Sequence, residues 1–391
     1  MLRIAVSFII VLFVVVCGSV VSGHLWAGEK EELPESMNIT VREGMTVAQF
    51  GKRHNLGRKQ LKKVFGLESP NDLAKQVADF GMTTESLGKK VNGVLAIQAE
   101  HASKNWFKIP LKGGLWVIFL SVVFALLRKG RISARNRKWV YVAGVAVFGV
   151  FLGSDPSPMG TVKDAVVLLG SRGVVFPPRL IAFGIFLLMV ILANKFICSW
   201  GCQLGTLQDL IFRLNRDSRD RQGLFRQTKI PFAISNSARI LFFLVLTSVA
   251  FTWAMDIVGT IDPFKVFKPQ VMGMVGGLFV ALLLVLSLFV YRPWCHFFCP
   301  FGLVGWLAEK ISIFRIKVDY DKCVACETCS KACPSTVMDS ILKRDKVVPD
   351  CFSCGTCIEA CPVNAVSFDY GKRSRPPAGK FSKQVVADEV P

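Results

Sequence analysis

Histidine is scarce in this sequence, and its scarcity excludes several redox groups. The 391 residues include only four histidines, and no two of them fall in apolar segments that could hold a haem between two imidazoles. The four are His24, His54, His101 and His296. The motif C-x-x-C-H does not occur either, so we expect no haem of the c type. The sequence also lacks a glycine-rich nucleotide-binding motif and a nucleophile–base constellation, which disfavours nicotinamide-dependent and hydrolytic chemistry.

Acidic residues are few as well. The chain has 28 Asp and Glu against 48 Lys and Arg, so its formal net charge is +20. It is also 52% hydrophobic, with a mean hydropathy of +0.44 and apolar runs long enough to span a bilayer. Cytoplasmic loops of membrane proteins collect Lys and Arg. We therefore expect a lipid bilayer around this chain and no nucleic-acid partner.

Most of the 13 cysteines are concentrated in short motifs. Only Cys17 lies outside them, so the distribution is unlike that of a disulfide framework. The segments CVACETCSKACP at 323–334 and CFSCGTCIEACP at 351–362 both read C-x-x-C-x-x-C-x-x-x-C-P. This spacing is typical of ferredoxins with two [4Fe–4S] clusters, in which each half lends its fourth cysteine to the other cluster. Zinc sites use shorter sets of cysteines.

The spacing therefore predicts two sets of cluster ligands, all of them soft, anionic thiolates. The first set is Cys323, Cys326, Cys329 and Cys361, and the second is Cys351, Cys354, Cys357 and Cys333.

Hydropathy divides the chain into five regions. They are an N-terminal membrane anchor or signal (1–23), a small helical domain (24–112), a transmembrane bundle (113–314), a two-cluster ferredoxin domain (315–370) and a basic, disordered tail (371–391). The small domain contains a weak repeat, VAQFG at 47–51 and VADFG at 77–81, with Thr46 and Ser69 as expected helix N-caps. We thus predict a predominantly α-helical polytopic protein with a C-terminal α+β ferredoxin domain and an N-terminal helical extracytoplasmic domain.

Six apolar segments are expected to cross the membrane: 2–22, 114–127, 139–152, 179–197, 240–257 and 271–290. The basic loops 128–138 and 211–239 favour the cytoplasm, and the ferredoxin cysteines must be loaded as thiols, which favours the same side. We therefore expect a multi-pass protein of the bacterial inner (cytoplasmic) membrane. Its ferredoxin domain would be cytoplasmic and residues 24–112 periplasmic.

A second group of cysteines has the spacing C-x-x-x-C and ends two of the apolar segments. It comprises Cys198 with Cys202 and Cys295 with Cys299, and each pair follows a hairpin that turns at an Asp-Pro dipeptide. We interpret this as a duplicated hairpin unit whose shared site lies at the repeat interface, with all four thiols near the cytoplasmic face. A further metal ion, a third iron–sulfur centre, a redox-active dithiol and simple packing of helix ends all fit the pattern.

Three ionisable residues near the ends of the apolar segments are candidates for proton transfer. His296 lies inside the second C-x-x-x-C pair, while Asp256 and Asp262 follow the fifth apolar segment. Ionisable groups at membrane depth are candidates for function.

The chain resembles the membrane-bound 4Fe–4S polyferredoxins that include NapH, NosR and CcoG, and its architecture is most similar to that of NapH. The resemblance covers about residues 114–370 and is carried by CSWGCQLG, CHFFCPFG and the double ferredoxin motif. It implies quinol-linked electron transfer. The sequence departs from the family at Gln203, where proline is usual, and in its extra domain at 24–112. It has no flavin-attachment motif, so we expect no flavin.

Two functions are compatible with these motifs. The first is a quinol dehydrogenase subunit that passes electrons from membrane quinol through two [4Fe–4S] clusters to a periplasmic or membrane redox partner. The alternative is an assembly or maturation factor that reduces a metal ion or a disulfide for another enzyme, in which the C-x-x-x-C thiols would act as exchange groups.

Overall fold

The computed structural model describes residues 1–26, 37, 39–102, 104–217, 223–343 and 345–381. About half of the expected tail, residues 382–391, lies outside this range. So does the part of the second basic loop at 218–222.

The N-terminal region consists of one long apolar helix and a small helical domain. The helices are α1 Leu2–Leu25, α2 Val47–Arg53, α3 Arg58–Phe65 and α4 Thr84–Ala102, with 3₁₀ helices at Pro70–Ala74 and Val77–Phe80. The two similar segments of the repeat pair with each other, since the Val47 N–H donates to the Lys75 carbonyl and the Val77 N–H to the Met45 carbonyl. Thr46 and Ser69 are confirmed as N-caps.

The central bundle contains long helices interrupted by short ones. In order they are α5 Lys108–Arg128, α6 Ala134–Gly144 with a π-helical continuation Val145–Phe151, α7 Pro158–Arg172, α8 Pro177–Ala193, α9 Phe196–Trp200, α10 Gln203–Leu214, α11 Phe232–Thr252, α12 Met274–Leu286, α13 Pro293–Phe297 and α14 Pro300–Ala308. Short 3₁₀ helices occupy Pro263–Phe267, Pro269–Val271 and Glu309–Ile311.

Three helices of the described chain are long and apolar enough to cross a membrane, namely α1, α5 and α11. Two of the other expected spans correspond to the shorter apolar helices α8 and α12, of 17 and 13 residues. A straight span needs about 20 residues. The remaining segment, 139–152, is divided between α6 and the π-helical turns. The membrane character is thus evident, while the number of six spans stays a prediction.

The C-terminal domain is small and rich in loops. Strand β1 Phe314–Val318 pairs antiparallel with β2 Val366–Tyr370, so that Phe314 lies opposite Tyr370. Three short helices lie between the strands: α15 Thr328–Ala332, α16 Val337–Lys343 and α17 Thr356–Glu359. Two strands closing around short helices agree with the predicted α+β ferredoxin domain.

The two small domains contact opposite ends of α5. At its N-terminal end, Lys104 lies 3.4 Å from Glu100 and 4.0 Å from Asp155. At its C-terminal end, Arg128 lies 3.6 Å from Asp369 of the C-terminal domain. A helix of 21 residues is about 30 Å long. We call these two ends of the bundle the outer end and the ferredoxin end.

A buried ion cluster attaches the C-terminal domain to the bundle. The Asp350 carboxylate, 1% exposed, accepts hydrogen bonds from Lys195 and from Arg239, with 3.0 Å between its Oδ2 and the Arg239 nitrogen. Both cations are also fully buried. Because buried charges are tolerated only when paired, this cluster fixes the domain against α9 and α11.

We expect Asp350→Ala to lower the free energy of unfolding by about 3–5 kcal/mol, because two buried cations lose their counter-charge. Denaturation in detergent, followed by tryptophan fluorescence, measures this loss. Asp345→Ala, at an exposed aspartate of the same domain, is the matched control and should change stability by less than about 0.5 kcal/mol. Equal stability of the two variants would contradict the anchoring role.

Candidate functional site

The first predicted set of cysteines comes together near the surface of the C-terminal domain. Burial raises the pKa of Cys329 to about 11, and the neighbouring thiols of Cys361, Cys323 and Cys326 add to the rise. Helix α15, which carries Cys329, also contacts α17, which ends two residues before Cys361. Cys326 is exposed, so one edge of this set reaches solvent.

The second predicted set surrounds a small cavity beside the bundle. Its lining includes all four thiols of the set, Cys333, Cys351, Cys354 and Cys357, together with Tyr291 from the bundle. Burial is the main cause that raises the pKa of Cys357 well above its usual value, and Cys333, Cys354 and Cys351 contribute. A cavity bounded by four thiols is suited to a bulky group with thiolate ligands.

Backbone geometry in both motifs is also suited to a cluster. Four loop residues have positive φ, and they are Ala325, Glu327, Ser353 and Gly355. Such residues curl the backbone between successive cysteines, and the Ala365 N–H already donates to the Cys361 sulfur at 3.2 Å. Nearby N–H donors stabilise anionic sulfur. The donor set, the cavity and the loops therefore fit two [4Fe–4S] clusters.

The C-x-x-x-C thiols form a third group, inside the bundle. All four are buried, with exposures of 7 to 9%. Arg292, three residues before Cys295, donates to the Cys198 carbonyl at 2.7 Å, so the two pairs lie in neighbouring turns of one site. They sit in matched turns: a short helix (α9 or α13) carries the first cysteine and the second cysteine caps the next helix (α10 or α14).

The thiol group lies between the C-terminal domain, where Trp200 donates to the Ser353 carbonyl at 3.2 Å, and the middle of the bundle. Its expected position near the cytoplasmic face stays a prediction. After α8 and after α12 the chain turns back into the bundle, so that Trp116 of α5 donates to the Gly201 carbonyl at 3.1 Å. Trp116 is about 12 Å from the outer end of α5 and about 18 Å from the ferredoxin end, at 1.5 Å per residue. Helices α9 and α13 re-enter the bundle, which hydropathy alone does not reveal.

Each turn depends on a glycine and an arginine that the sequence analysis did not single out. A Cβ on Gly205 would lie 2.5 Å from the Cys198 carbonyl, and one on Gly302 would lie 2.8 Å from the Cys295 carbonyl. Arg292 donates to the first of these carbonyls at 2.7 Å. In the second turn, Arg239 donates to the Cys295 carbonyl at 3.4 Å. The signal was present as the shared glycine seven residues after each first cysteine.

The structure brings two of the three proton-transfer candidates together, Asp256 and Asp262, and separates them from His296. His296 lies at the ferredoxin end, where its ring packs against Phe352. Asp256 lies 3.0 Å from Lys163 and Asp262 lies 3.6 Å from it. Each carboxylate also caps a turn.

A cavity opens at the outer end of the bundle. Apolar side chains form part of its wall, among them Trp106, Ile109, Phe176 and Ala182, and charged side chains complete it, namely Lys104, Asp155, Asp164 and Arg179. Burial opposes ionisation of Asp155, but Lys268 and Lys104 hold its pKa well below the usual value. The same loop adjoins the thiol site, since Gln203, next to Cys202, donates to the Ser154 carbonyl at 3.3 Å. Gln203 occupies a position at which the polyferredoxins that this chain resembles usually have proline. Here its side chain has a specific hydrogen-bond partner, the Ser154 carbonyl.

Family models match both cysteine regions. A model described as a 4Fe-4S dicluster domain matches residues 315–362, and one described as a 4Fe-4S binding domain matches residues 175–224 and 272–319. The second model therefore covers both C-x-x-x-C pairs.

Curated relatives share the same region. The chain is 30% identical over 160 residues to YccM of Escherichia coli K12, which is named as a candidate electron transport protein, covering 39% of this chain and 44% of YccM. It is 32% identical over 154 residues to the ferredoxin-type protein NapH of the same organism, covering 38% and 51%. It is 28% identical over 175 residues to NapH of Haemophilus influenzae, covering 44% and 54%.

The chain thus spans about half the length of these relatives. No solved structure matches it. The matched models, the membrane helices and the relatives indicate a membrane protein with iron–sulfur cluster domains that is similar to electron-transfer proteins of ferredoxin type. They support the resemblance of this chain to the NapH-like membrane-bound 4Fe–4S polyferredoxins.

Proposed function

We propose that this protein oxidises membrane quinol at its outer end and delivers the electrons to a redox partner at its ferredoxin end. The observation that carries the proposal is the arrangement of a partly apolar cavity and two cluster-binding sets at opposite ends of one bundle. Each quinol that becomes a quinone releases two electrons and two protons. Each [4Fe–4S] cluster accepts a single electron, so the two electrons leave one at a time.

The eight ferredoxin cysteines act as cluster ligands in the two sets that the sequence predicts. The second set, with Cys351, Cys333 and Cys357 buried, faces the bundle and receives electrons there. The first set, with Cys326 exposed, lies towards the surface and passes them on. A redox protein that covers this exposed edge would be the acceptor, because electron transfer needs short distances between centres.

The outer cavity supplies what a quinol needs. Its apolar wall accommodates the ring and the tail, and a few polar groups fix the orientation, as in most cofactor sites. The Asp155 carboxylate, kept ionised by Lys268 at 2.7 Å, accepts a hydrogen bond from a quinol hydroxyl. Neighbouring Asp164 and Glu100, linked by Arg179, lie on the way to the outer surface and take up the released protons.

The assembly alternative requires thiols that reach a metal ion or disulfide of a client protein. All four C-x-x-x-C thiols are instead enclosed by the bundle. Thiol exchange depends on access of the attacking thiolate. The burial of these thiols therefore favours the electron-transfer role.

Replacing one thiolate tests the ligand sets. We expect Cys357→Ala to remove about four iron atoms per chain, the content of one [4Fe–4S] cluster, because its set loses a buried ligand. Iron analysis and anaerobic EPR of the purified protein after dithionite reduction measure the loss. Cys17→Ala, at an exposed cysteine far from both sets, should leave iron and spectrum unchanged. A Cys357→Ala protein with its full iron content would refute the assignment.

The cavity is tested through Asp155. We expect Asp155→Asn to slow quinol-driven cluster reduction by about 10- to 100-fold, since a neutral amide accepts the quinol hydroxyl less well than a carboxylate. Reduction by dithionite should be unchanged. Anaerobic stopped-flow absorbance with a water-soluble quinol follows both reactions.

The matched control is Glu85→Gln, another ion-paired carboxylate of the outer region, 2.8 Å from Lys89 and far from the cavity. It should leave both rates unchanged. Wild-type clusters that dithionite reduces but quinol does not would overturn the proposed function. An Asp155→Asn protein with the wild-type quinol rate would move the quinol to another site.

A further inference from the structure

The surroundings of the four C-x-x-x-C thiols indicate an anion. Cys202 caps the N-terminus of α10, a helix of 12 residues, and Cys299 caps that of α14, a helix of nine. Helix N-termini carry partial positive charge and stabilise thiolates and other anions. The Gly302 N–H already lies 3.4 Å from the Cys299 sulfur. Two helix ends thus converge on one group of sulfur atoms.

Charged side chains reinforce this field. Four buried cations lie beside the two turns. Arg292 donates to the Cys198 carbonyl, Arg239 to the Cys295 carbonyl and Lys195 to the Gly302 carbonyl, while Lys112 donates to the Gly153 carbonyl in the loop that Gln203 contacts. Each is at most 1% exposed. Arg292 is paired with Asp209, but Lys195 and Arg239 share the single carboxylate of Asp350, so positive charge is in excess here, and burying it is costly. Four thiolates bound to a metal centre would supply negative charge that balances this excess.

An unpartnered amide points to the same occupant. The Gln208 side chain is fully buried, and its Oε1 lies 3.8 Å from the Cys295 sulfur. Its Nε2 has no hydrogen-bond partner among the described residues. A buried donor without a partner costs free energy. In this structure the Cys295 thiol donates to Oε1, but a half-turn of the amide exchanges its oxygen and nitrogen. Beside metal-bound sulfur, which carries no proton, the amide would take that second orientation, so that Nε2 is satisfied and tunes the metal centre.

The chemistry of the four thiols narrows the choice of occupant. All four thiols are free, so the site is not a pair of disulfides. Four thiolates suit a [4Fe–4S] cluster and also suit a zinc ion. The two pairs lie in matched turns like the two halves of the ferredoxin motif, which favours the cluster, and a count of iron and zinc separates the two occupants.

We propose that Cys198, Cys202, Cys295 and Cys299 hold a third [4Fe–4S] cluster at the interface of the two repeated units, and that it relays electrons between the outer cavity and the C-terminal domain. The oxidised cluster takes one electron from the quinol, and a second after the first has moved on. It gives each to the cluster of the second ferredoxin set. The existence of this centre is independent of the proposed function, while its relay role rests on it.

The position of the site supports this role. On one side, Gln203 connects the turn after Cys202 to the loop that lines the cavity. On the other, the Trp200 Nε1 donates to the Ser353 carbonyl at 3.2 Å, between two cysteines of the second ferredoxin set. Without an intermediate centre, an electron would have to cross most of the bundle in a single step.

The test is a count of iron, acid-labile sulfide and zinc in the anaerobically purified full chain. We expect about 12 iron and 12 sulfide per wild-type chain, against about eight of each for two clusters alone. The double variant Cys202→Ala/Cys299→Ala should retain about eight, with the dithionite-reduced signals of the two ferredoxin clusters intact. Cys17→Ala should retain about 12. A wild-type count of eight, or zinc that disappears in the double variant, would overturn the third cluster.

A second variant keeps the test decisive if the double variant does not fold. Gln208→Leu removes the unpartnered donor without removing a ligand, so the iron count should stay at about 12. Loss of an N–H near sulfur disfavours the more negative, reduced cluster. A potentiometric EPR titration should therefore show that one of the three cluster signals has a lower reduction potential than in the wild type. The reduction potentials of the other two signals should be unchanged. Three unmoved signals would contradict the placement of the cluster beside Gln208.

Reduction kinetics test the relay role of the third cluster separately from its existence. In the double variant, quinol should no longer reduce the ferredoxin clusters, while dithionite still does. If iron falls to about eight and quinol reduction persists, the cluster exists but the relay is refuted. If the wild type has about 12 iron and quinol reduces none of it, the proposed function fails and the third centre stands.

Discussion

Two buried carboxylates, Asp209 and Asp350, hold the re-entrant turns of this protein in place. Asp209 accepts hydrogen bonds from Arg292 at 2.6 Å and from Arg213 at 2.7 Å, and Arg292 in turn holds the Cys198 carbonyl. Asp350 and Arg239 form the corresponding chain to the Cys295 carbonyl. Irregular backbone inside a membrane protein persists only where its polar groups are satisfied by the protein itself. The two series of hydrogen bonds, each from an aspartate through an arginine to a cysteine carbonyl, satisfy these polar groups in both turns.

The two carboxylates come from different parts of the fold, and the difference links the parts. Asp209 belongs to α10, within the bundle, whereas Asp350 precedes Cys351 in the C-terminal domain. The second turn is therefore complete only when the C-terminal domain is docked. Docking also brings Glu309, which follows α14, to the Cys351 N–H. Assembly of the ferredoxin motif and of the thiol site thus depends on the same interface.

Sequence reasoning succeeded where a pattern is local. The α+β character of the C-terminal domain follows from cysteine spacing, and the N-caps Thr46 and Ser69 follow from residue type. It did not reveal the re-entrant turns after α8 and α12, because a hydropathy profile treats each apolar segment as a full crossing. A chain that turns back after 13 or 17 apolar residues leaves the same profile. The arginine–aspartate pairs were also missed, since Arg239 and Asp350 are far apart in sequence and meet only through the fold.

The strong positive charge has a second source besides the basic loops. Lys112, Lys195, Arg239 and Arg292 are all buried inside the bundle, where a charged side chain is costly and usually functional. Lys112 donates to the Gly153 carbonyl at 2.7 Å, which satisfies its hydrogen-bonding capacity in part but leaves its charge uncompensated. Arg292 is paired with Asp209, whereas Lys195 and Arg239 share the carboxylate of Asp350, so positive charge remains in excess near the four thiols. Anionic thiolate ligands would balance this excess, and metal binding and folding would then be coupled in the bundle.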